Sequence, residues 1–233
     1  MNIRDHKNLA LSLLRTESEK RHISCLRKAA FLLGNMEPDM NLISYFRGFF
    51  GHTRMRGHNY GNVCGCMRRL LHRLMDHPSD SLWHSFTCGV LLHYVADSFT
   101  WPHNDGFEGD LRDHVSYEGR LHELWKRCDW KGDRYRHDDL FLERIADRNA
   151  GPEALYDYLT DMHERFLAER EKMTDDLVYI AHMTGELCSV YFYQSREMPA
   201  PVFLSEEGRA AEAGNRTYPG IFSMRMEAER EFR

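Results

Sequence analysis

Four side chains in the middle of the chain are spaced for joint chemistry. His93 and Asp97 are four residues apart, as are His114 and Glu118, and on a helix such pairs share a face with ~5–6 Å between Cβ atoms. Each pair therefore offers one imidazole nitrogen and one carboxylate oxygen to a common point. Between the pairs, His103 directly follows Pro102; proline cannot continue the helix, so this imidazole rides on a segment able to turn toward whatever the helices hold. The linked string is His93-x3-Asp97-x5-His103-x10-His114-x3-Glu118. Nitrogen and carboxylate oxygen without thiolate suit zinc, with manganese or iron as chemical alternatives. A single His-x3-Asp pair more often makes a hydrogen bond or an ion pair. Two such pairs, joined by a histidine after proline, bring a metal level with that plainer explanation.

The rest of the composition narrows the classes. Nine of the fourteen histidines fall between His52 and His122, and histidine is both the commonest metal ligand and the usual acid–base group near neutral pH. Hydrophobic residues make up 42% of 233 residues and aromatics 12%, enough for one sizeable core, so a helical domain over 1–195 and a tail over 196–233 are expected. Thirty-one Lys and Arg against thirty-six Asp and Glu give a net charge of −5, which removes the electrostatic basis for gripping duplex nucleic acid. The longest run without Asp, Glu, Lys or Arg is Ser81 to Ala96, sixteen residues, short of a membrane span. No transmembrane segment is expected. The Leu9 to Leu14 stretch is too short and interrupted for a signal-peptide core, and a cytoplasmic location follows as the expectation. Six cysteines without a C-x-x-C read as reduced, packed thiols rather than a scaffold; Cys64-Gly-Cys66 as a metal site is the weaker alternative.

The elements that must carry these residues are helical throughout, and an all-α bundle of about seven helices with a loosely held C-terminal tail is predicted. Leu9, Ala10, Leu13 and Leu14 recur at helical spacing behind Asp5, a candidate cap, and Ser18 would open a second helix closing at Gly34. Gly34 to Asp39 reads as a loop, and 40–61 as an irregular connection around a short helix. Residues 62–77 suit a helix stopped by Pro78; Ser79-Asp80 would cap another over 80–99, ended by Thr100-Trp101-Pro102. Asp113 would cap a helix over 114–128. Further helices are expected near 138–148, from Pro152 to about 171 and from Thr174 to about 194. No internal repeat or strand alternation appears.

His93 to His103, reading HYVADSFTWPH, followed by His114-Val115-Ser116-Tyr117-Glu118, closely resembles the metal core of the zinc-dependent phospholipase C family. Gly34-Asn35-Met36-Glu37-Pro38-Asp39 resembles that family's Gly-x-x-x-Pro-Asp element, Gly57-His58-Asn59-Tyr60 its His-plus-aromatic segment, and His6 its N-terminal histidine. The resemblance runs from about residue 6 to 125. It implies one zinc held by Asp39, His58, His93 and Asp97, a second by His103, His114 and Glu118, and a third shared through Asp97 with His6. His52 is the rival for His58, which is preferred for its neighbour Tyr60. In secreted members the third zinc also takes the amino and carbonyl groups of the mature N-terminal residue; with no leader visible, only His6 and Asp97 are assured here, so two Zn2+ ions are expected and the third site is left open.

Such a cluster implies a phosphodiester hydrolase of the phospholipase C type, with metal-activated water as nucleophile, Lewis-acid binding of the phosphoryl oxygens, and a phospholipid or related phosphodiester as substrate. Asp39 is a candidate general base as well as a ligand, and Asp97 is the bridging ligand. Peripheral contact with a membrane is compatible with this function. Two alternatives stand beside it: hydrolysis of a nucleotide or other small phosphoester on the same scaffold, and a non-catalytic metal-binding protein. Related single-strand nucleases carry Asp where Glu118 stands, which favours the lipase side. Asp105, Asp110 and Asp113 read as loop solvation and capping, His122 as an exposed residue rather than a support for the site, His163 and His182 as structural, Arg68, Arg69 and Arg73 as a solvated face, and Trp83, Phe86, Trp101, Trp125 and Trp130 as core before lipid groove.

Overall fold

The structure is a computed structural model that describes residues 1–40, 59–127 and 151–194. Among these, seven α-helices and one 3₁₀ turn form an all-α fold without strands. In chain order they are α1 Ile3–Lys20, α2 Cys25–Met40, α3 Tyr60–Asp76, α4 Leu82–Ser98, the 3₁₀ turn Trp101–His103, α5 Leu111–Arg127, α6 Pro152–Glu169 and α7 Met173–Gln194. The helices predicted within 40–61 and 138–148, and the tail after 195, lie outside the described residues.

Helix α4 is the centre of the bundle. All but its last two residues belong to the sequence's charge-free run, and so apolar a helix is stable only when surrounded; Cys88, Leu91, Leu92, Tyr94, Val95 and Ala96 are all buried. It packs against α1, α2, α3 and α7. Two glycines let α2 approach closely. A β-carbon on Gly34 would collide with the Phe86 carbonyl oxygen, and one on Gly89 with that of Phe31. Gly34 is therefore kept for contact between helices rather than for ending one. That corrects the predicted loop over 34–39: α2 continues through Pro38 to Met40. Proline there removes one backbone donor, and packing on α4 outweighs the loss.

Other boundaries shift for local reasons. Ser18 opens no helix: its hydroxyl donates to the Leu14 carbonyl at 2.5 Å and α1 runs on to Lys20. Asn2, not Asp5, caps α1, accepting from the backbone N–H groups of Arg4 and Asp5. Ser81 takes the cap of α4, accepting from His84 N–H, and Asp110 that of α5, accepting from Arg112 and Asp113 N–H while Asp113 accepts from Asp110 N–H. Reciprocal bonds of this kind satisfy donors that the first helical turn leaves open. The Leu9, Ala10, Leu13, Leu14 stripe of α1 is buried as its spacing predicts, and His6 lies on the same stripe one turn earlier. His114 and Glu118 likewise extend the stripe of Leu121 and Trp125 on α5.

Candidate metal centre

Helices α1, α2, α4 and α5 and the 3₁₀ turn each send a donor to one place. From α4, His93 Nδ1 donates to the Asn35 carbonyl oxygen at 2.9 Å. This fixes the ring's orientation and turns Nε2 toward the carboxylates. Nε2 lies 3.2 Å from Asp97 Oδ2 and 3.7 Å from Asp39 Oδ1. His6 stacks on the His93 ring at 3.8 Å between centroids and brings its Nε2 within 3.1 Å of Asp97 Oδ1. His6, Asp39 and His93 each offer a ligand atom, all within 4.8 Å of one another.

A second group meets the first at Asp97. His103, His114 and Glu118 also offer ligand atoms within 4.8 Å. Glu118 Oε1 is 3.3 Å from His103 Nε2 and 3.1 Å from His114 Nε2, while His103 Nε2 is 3.6 Å from Asp97 Oδ1. The α-amino group of Met1 stands between the groups, 2.7 Å from Asp97 Oδ1, 3.0 Å from Glu118 Oε1 and 3.2 Å from His103 Nε2. Sequence reasoning had only His6 and Asp97 for this corner; folding of α1 against α4 brings the amine there.

The electrostatics divide the imidazoles: burial works to lower His93, but Asp97 and Asp39 outweigh it and raise its pKa, whereas two others are lowered. Burial lowers the pKa of His6 to about 3, aided by neighbouring His93, so at neutral pH His6 carries a lone pair rather than a charge. Burial also lowers His103. For Asp97, burial works upward, but His103, the Met1 ammonium, His6 and His93 outweigh it and hold the carboxyl well below its usual range. Glu118 is lowered in the same way, against burial, by the Met1 ammonium, His103 and His114. Burial works to lower the Met1 amine, yet Asp97 and Glu118 raise its pKa to about 11. Buried carboxylates are costly without a compensating cation. A cluster of four imidazoles and three carboxylates that draws even the amine into its cationic form fits divalent zinc.

Eight residues were singled out as ligands from the sequence, and the fold brings seven together: His6, Asp39, His93, Asp97, His103, His114 and Glu118. His58 and its rival His52 lie outside the described residues, as does Trp130. Tyr60 stacks on His163 at 3.5 Å. His122 is not the exposed residue expected: it is mostly buried and bonds Asp5 Oδ1 through Nδ1 at 2.6 Å, tying α5 to α1 beside the cluster. Asp105 accepts from Asn59 Nδ2 at 2.9 Å, and Asp110 and Asp113 cap α5. His163 and His182 are structural, bonded to Asn104 Oδ1 at 2.7 Å and Tyr158 Oη at 3.1 Å. Arg68 pairs with Glu153 on the surface. Trp125 is core, whereas Trp83 is exposed and stacks on Phe86. Cys64 and Cys66 are half-buried and form no disulfide, and Cys64 Sγ donates to the Gly61 carbonyl at 3.5 Å.

A family model described as zinc dependent phospholipase C matches residues 6–173. That stretch spans every residue of the cluster from His6 to Glu118. No curated protein and no solved structure matches the chain.

Proposed function

Because the chain belongs to the zinc-dependent phospholipase C family, we propose that it hydrolyses a phosphodiester by metal-activated water, with phospholipid as the favoured substrate class. The observation that carries this proposal is the convergence of two His/His/carboxylate groups on the shared, fully buried Asp97. Asp39, His93 and Asp97, with His58 from the sequence pattern, would hold one zinc, and His103, His114 and Glu118 a second. His6 and Asp97, beside the Met1 amine, are the donors for a third. Bound zinc supplies Lewis acidity toward phosphoryl oxygens and lowers the pKa of water toward neutrality.

The chain's own groups divide the remaining work by exposure. Asp97 has no exposed side-chain surface, whereas Asp39 is 14% exposed. Asp39 therefore reaches both the cluster and the solvent side, and its Oδ1 accepts the attacking water's proton. Asp97 stays ionised and orients His6, His93 and His103. Water oxygen adds to phosphorus, the bond from phosphorus to the alcohol oxygen breaks, the proton held on Asp39 passes to that oxygen, and an alcohol and a phosphomonoester leave. The buried walls keep bulk water away, which strengthens each charge interaction inside. A phospholipid substrate calls for peripheral contact with a membrane, and no described helix is long and apolar enough to cross one.

The test is a substrate panel with zinc supplied or chelated: phosphatidylcholine vesicles, a chromogenic phosphocholine ester and a single-stranded oligonucleotide. The proposal expects zinc-dependent release of phosphomonoester from the two choline substrates. Turnover of the oligonucleotide alone would move the assignment to nucleotide hydrolysis, and no turnover of any substrate after zinc reconstitution would leave a metal-binding protein.

A further inference from the structure

The 3₁₀ turn carrying His103 and the helix carrying His114 and Glu118 are joined by one buried carboxylate remote in sequence. Asp176, in the first turn of α7, is fully buried. Its Oδ2 accepts the backbone N–H of Trp101 at 2.9 Å and the hydroxyl of Tyr117 at 2.6 Å, and its Oδ1 accepts Arg170 Nε at 2.7 Å. Trp101 is the first residue of the turn and His103 the last; Tyr117 immediately precedes Glu118. Arg170 closes the ring of contacts, donating from Nη2 to the Tyr117 oxygen at 2.6 Å and lying over the Trp101 ring at 4.7 Å.

We propose that Asp176 is a positioning residue: by holding Trp101 N–H and Tyr117 O–H on one oxygen, it sets the separation between His103 and the His114–Glu118 pair and so the zinc affinity of that group. The proposal rests on the assignment of these three residues as zinc ligands. A buried Asp–Arg pair is weak support for stability, since apolar replacements of similar volume are often as stable. What this one adds is registry between two ligand-bearing elements that neither touch in sequence nor share a backbone ladder. The opposite side of the turn is held separately, by Asn104 Nδ2 on the Ser98 and Thr100 carbonyls and by His163 on Asn104. Loss of Asp176 therefore loosens the turn toward α5 without dissolving it.

Zinc titration of the full chain against a chromophoric chelator tests this, in wild type, Asp176→Asn, Tyr117→Phe and His114→Ala, and in Asp176→Asn combined with His114→Ala. His114→Ala identifies the zinc that belongs to the His103 group. The expected result for Asp176→Asn is a loss of about tenfold or more in affinity for that zinc, with a smaller loss of the same kind for Tyr117→Phe, which keeps the ring and serves alone if Asp176→Asn does not fold. In the His114→Ala background, Asp176→Asn should leave the remaining zinc affinity unchanged. A role in stability alone would lower the melting temperature of the zinc-free protein and weaken both groups alike, and that result overturns the proposal. So does wild-type affinity in both single variants. A wild-type chain with no zinc that His114→Ala removes would overturn the ligand assignment itself, a different outcome from an intact site indifferent to Asp176.

Discussion

His93 gives its Nδ1 proton to the carbonyl of Asn35 across 2.9 Å, tying the ligand-bearing α4 to α2 one turn before Asp39. The bond forms only because the two helices nearly touch, and Gly34 and Gly89 are what let them. The account predicts that Gly89→Ala destabilises the protein by about 1–3 kcal/mol through overpacking and lowers its zinc content, because the clash is with backbone atoms of α2 that cannot rotate away. Gly119→Ala is the contrast: a β-carbon there meets nothing within 4 Å, so about 0.5–1 kcal/mol of stabilisation is expected. Denaturant midpoints of the two variants should move in opposite directions.

Zinc removal should cost stability, since a ligand that binds only the folded chain stabilises it by mass action. With free zinc at roughly 100 times its dissociation constant the gain is about 2.7 kcal/mol, or roughly 5–10 °C in Tm for a chain of this size. Dialysis against a chelator should lower the melting temperature by about that amount, and stoichiometric zinc should restore it. A melting temperature indifferent to chelation would remove the ions from the folded state.

Acid sensitivity has an identifiable source at His163. Burial lowers its pKa from 6.5 to about 4, so the folded state refuses a proton that the unfolded chain accepts. Its contribution is therefore complete above pH 6.5, falls as pH drops from 6.5 toward 4, and is level below that. Between pH 7 and pH 5 the shift corresponds to about 2 kcal/mol. His163→Gln, with no group to titrate, should lose less stability over the same interval. Equal losses in urea titrations at the two pH values would exclude this origin.

The sequence carried the parts of this fold that depend on local spacing. The i, i+4 pairs His93/Asp97 and His114/Glu118 were legible because helix geometry alone brings them together. The run from Ser81 to Ala96 was legible as exceptional, and the bundle explains it as the helix wrapped by α1, α2, α3 and α7. Contacts distant in sequence misled the local signals. Gly34 and Pro38 are breakers by propensity, yet the fit of α2 against the Phe86 carbonyl keeps them helical. Asp5 looked like a cap because nothing local points to His122, 117 residues away. Asp176 was invisible for the same reason, meeting its partners only once the helices are assembled; the terminal amine that the resemblance suggested was set aside for want of a leader, and the fold nonetheless places the Met1 amine against Asp97.

Zinc content per folded chain, measured by elemental analysis for wild type and Asp97→Asn purified side by side, tests the central claim most directly. Asp97 contacts both donor groups, so its loss should empty the cluster rather than one corner of it. The account predicts two zinc ions in wild type and fewer than one in Asp97→Asn, with the helical circular dichroism retained. Equal zinc content in the two proteins would contradict it.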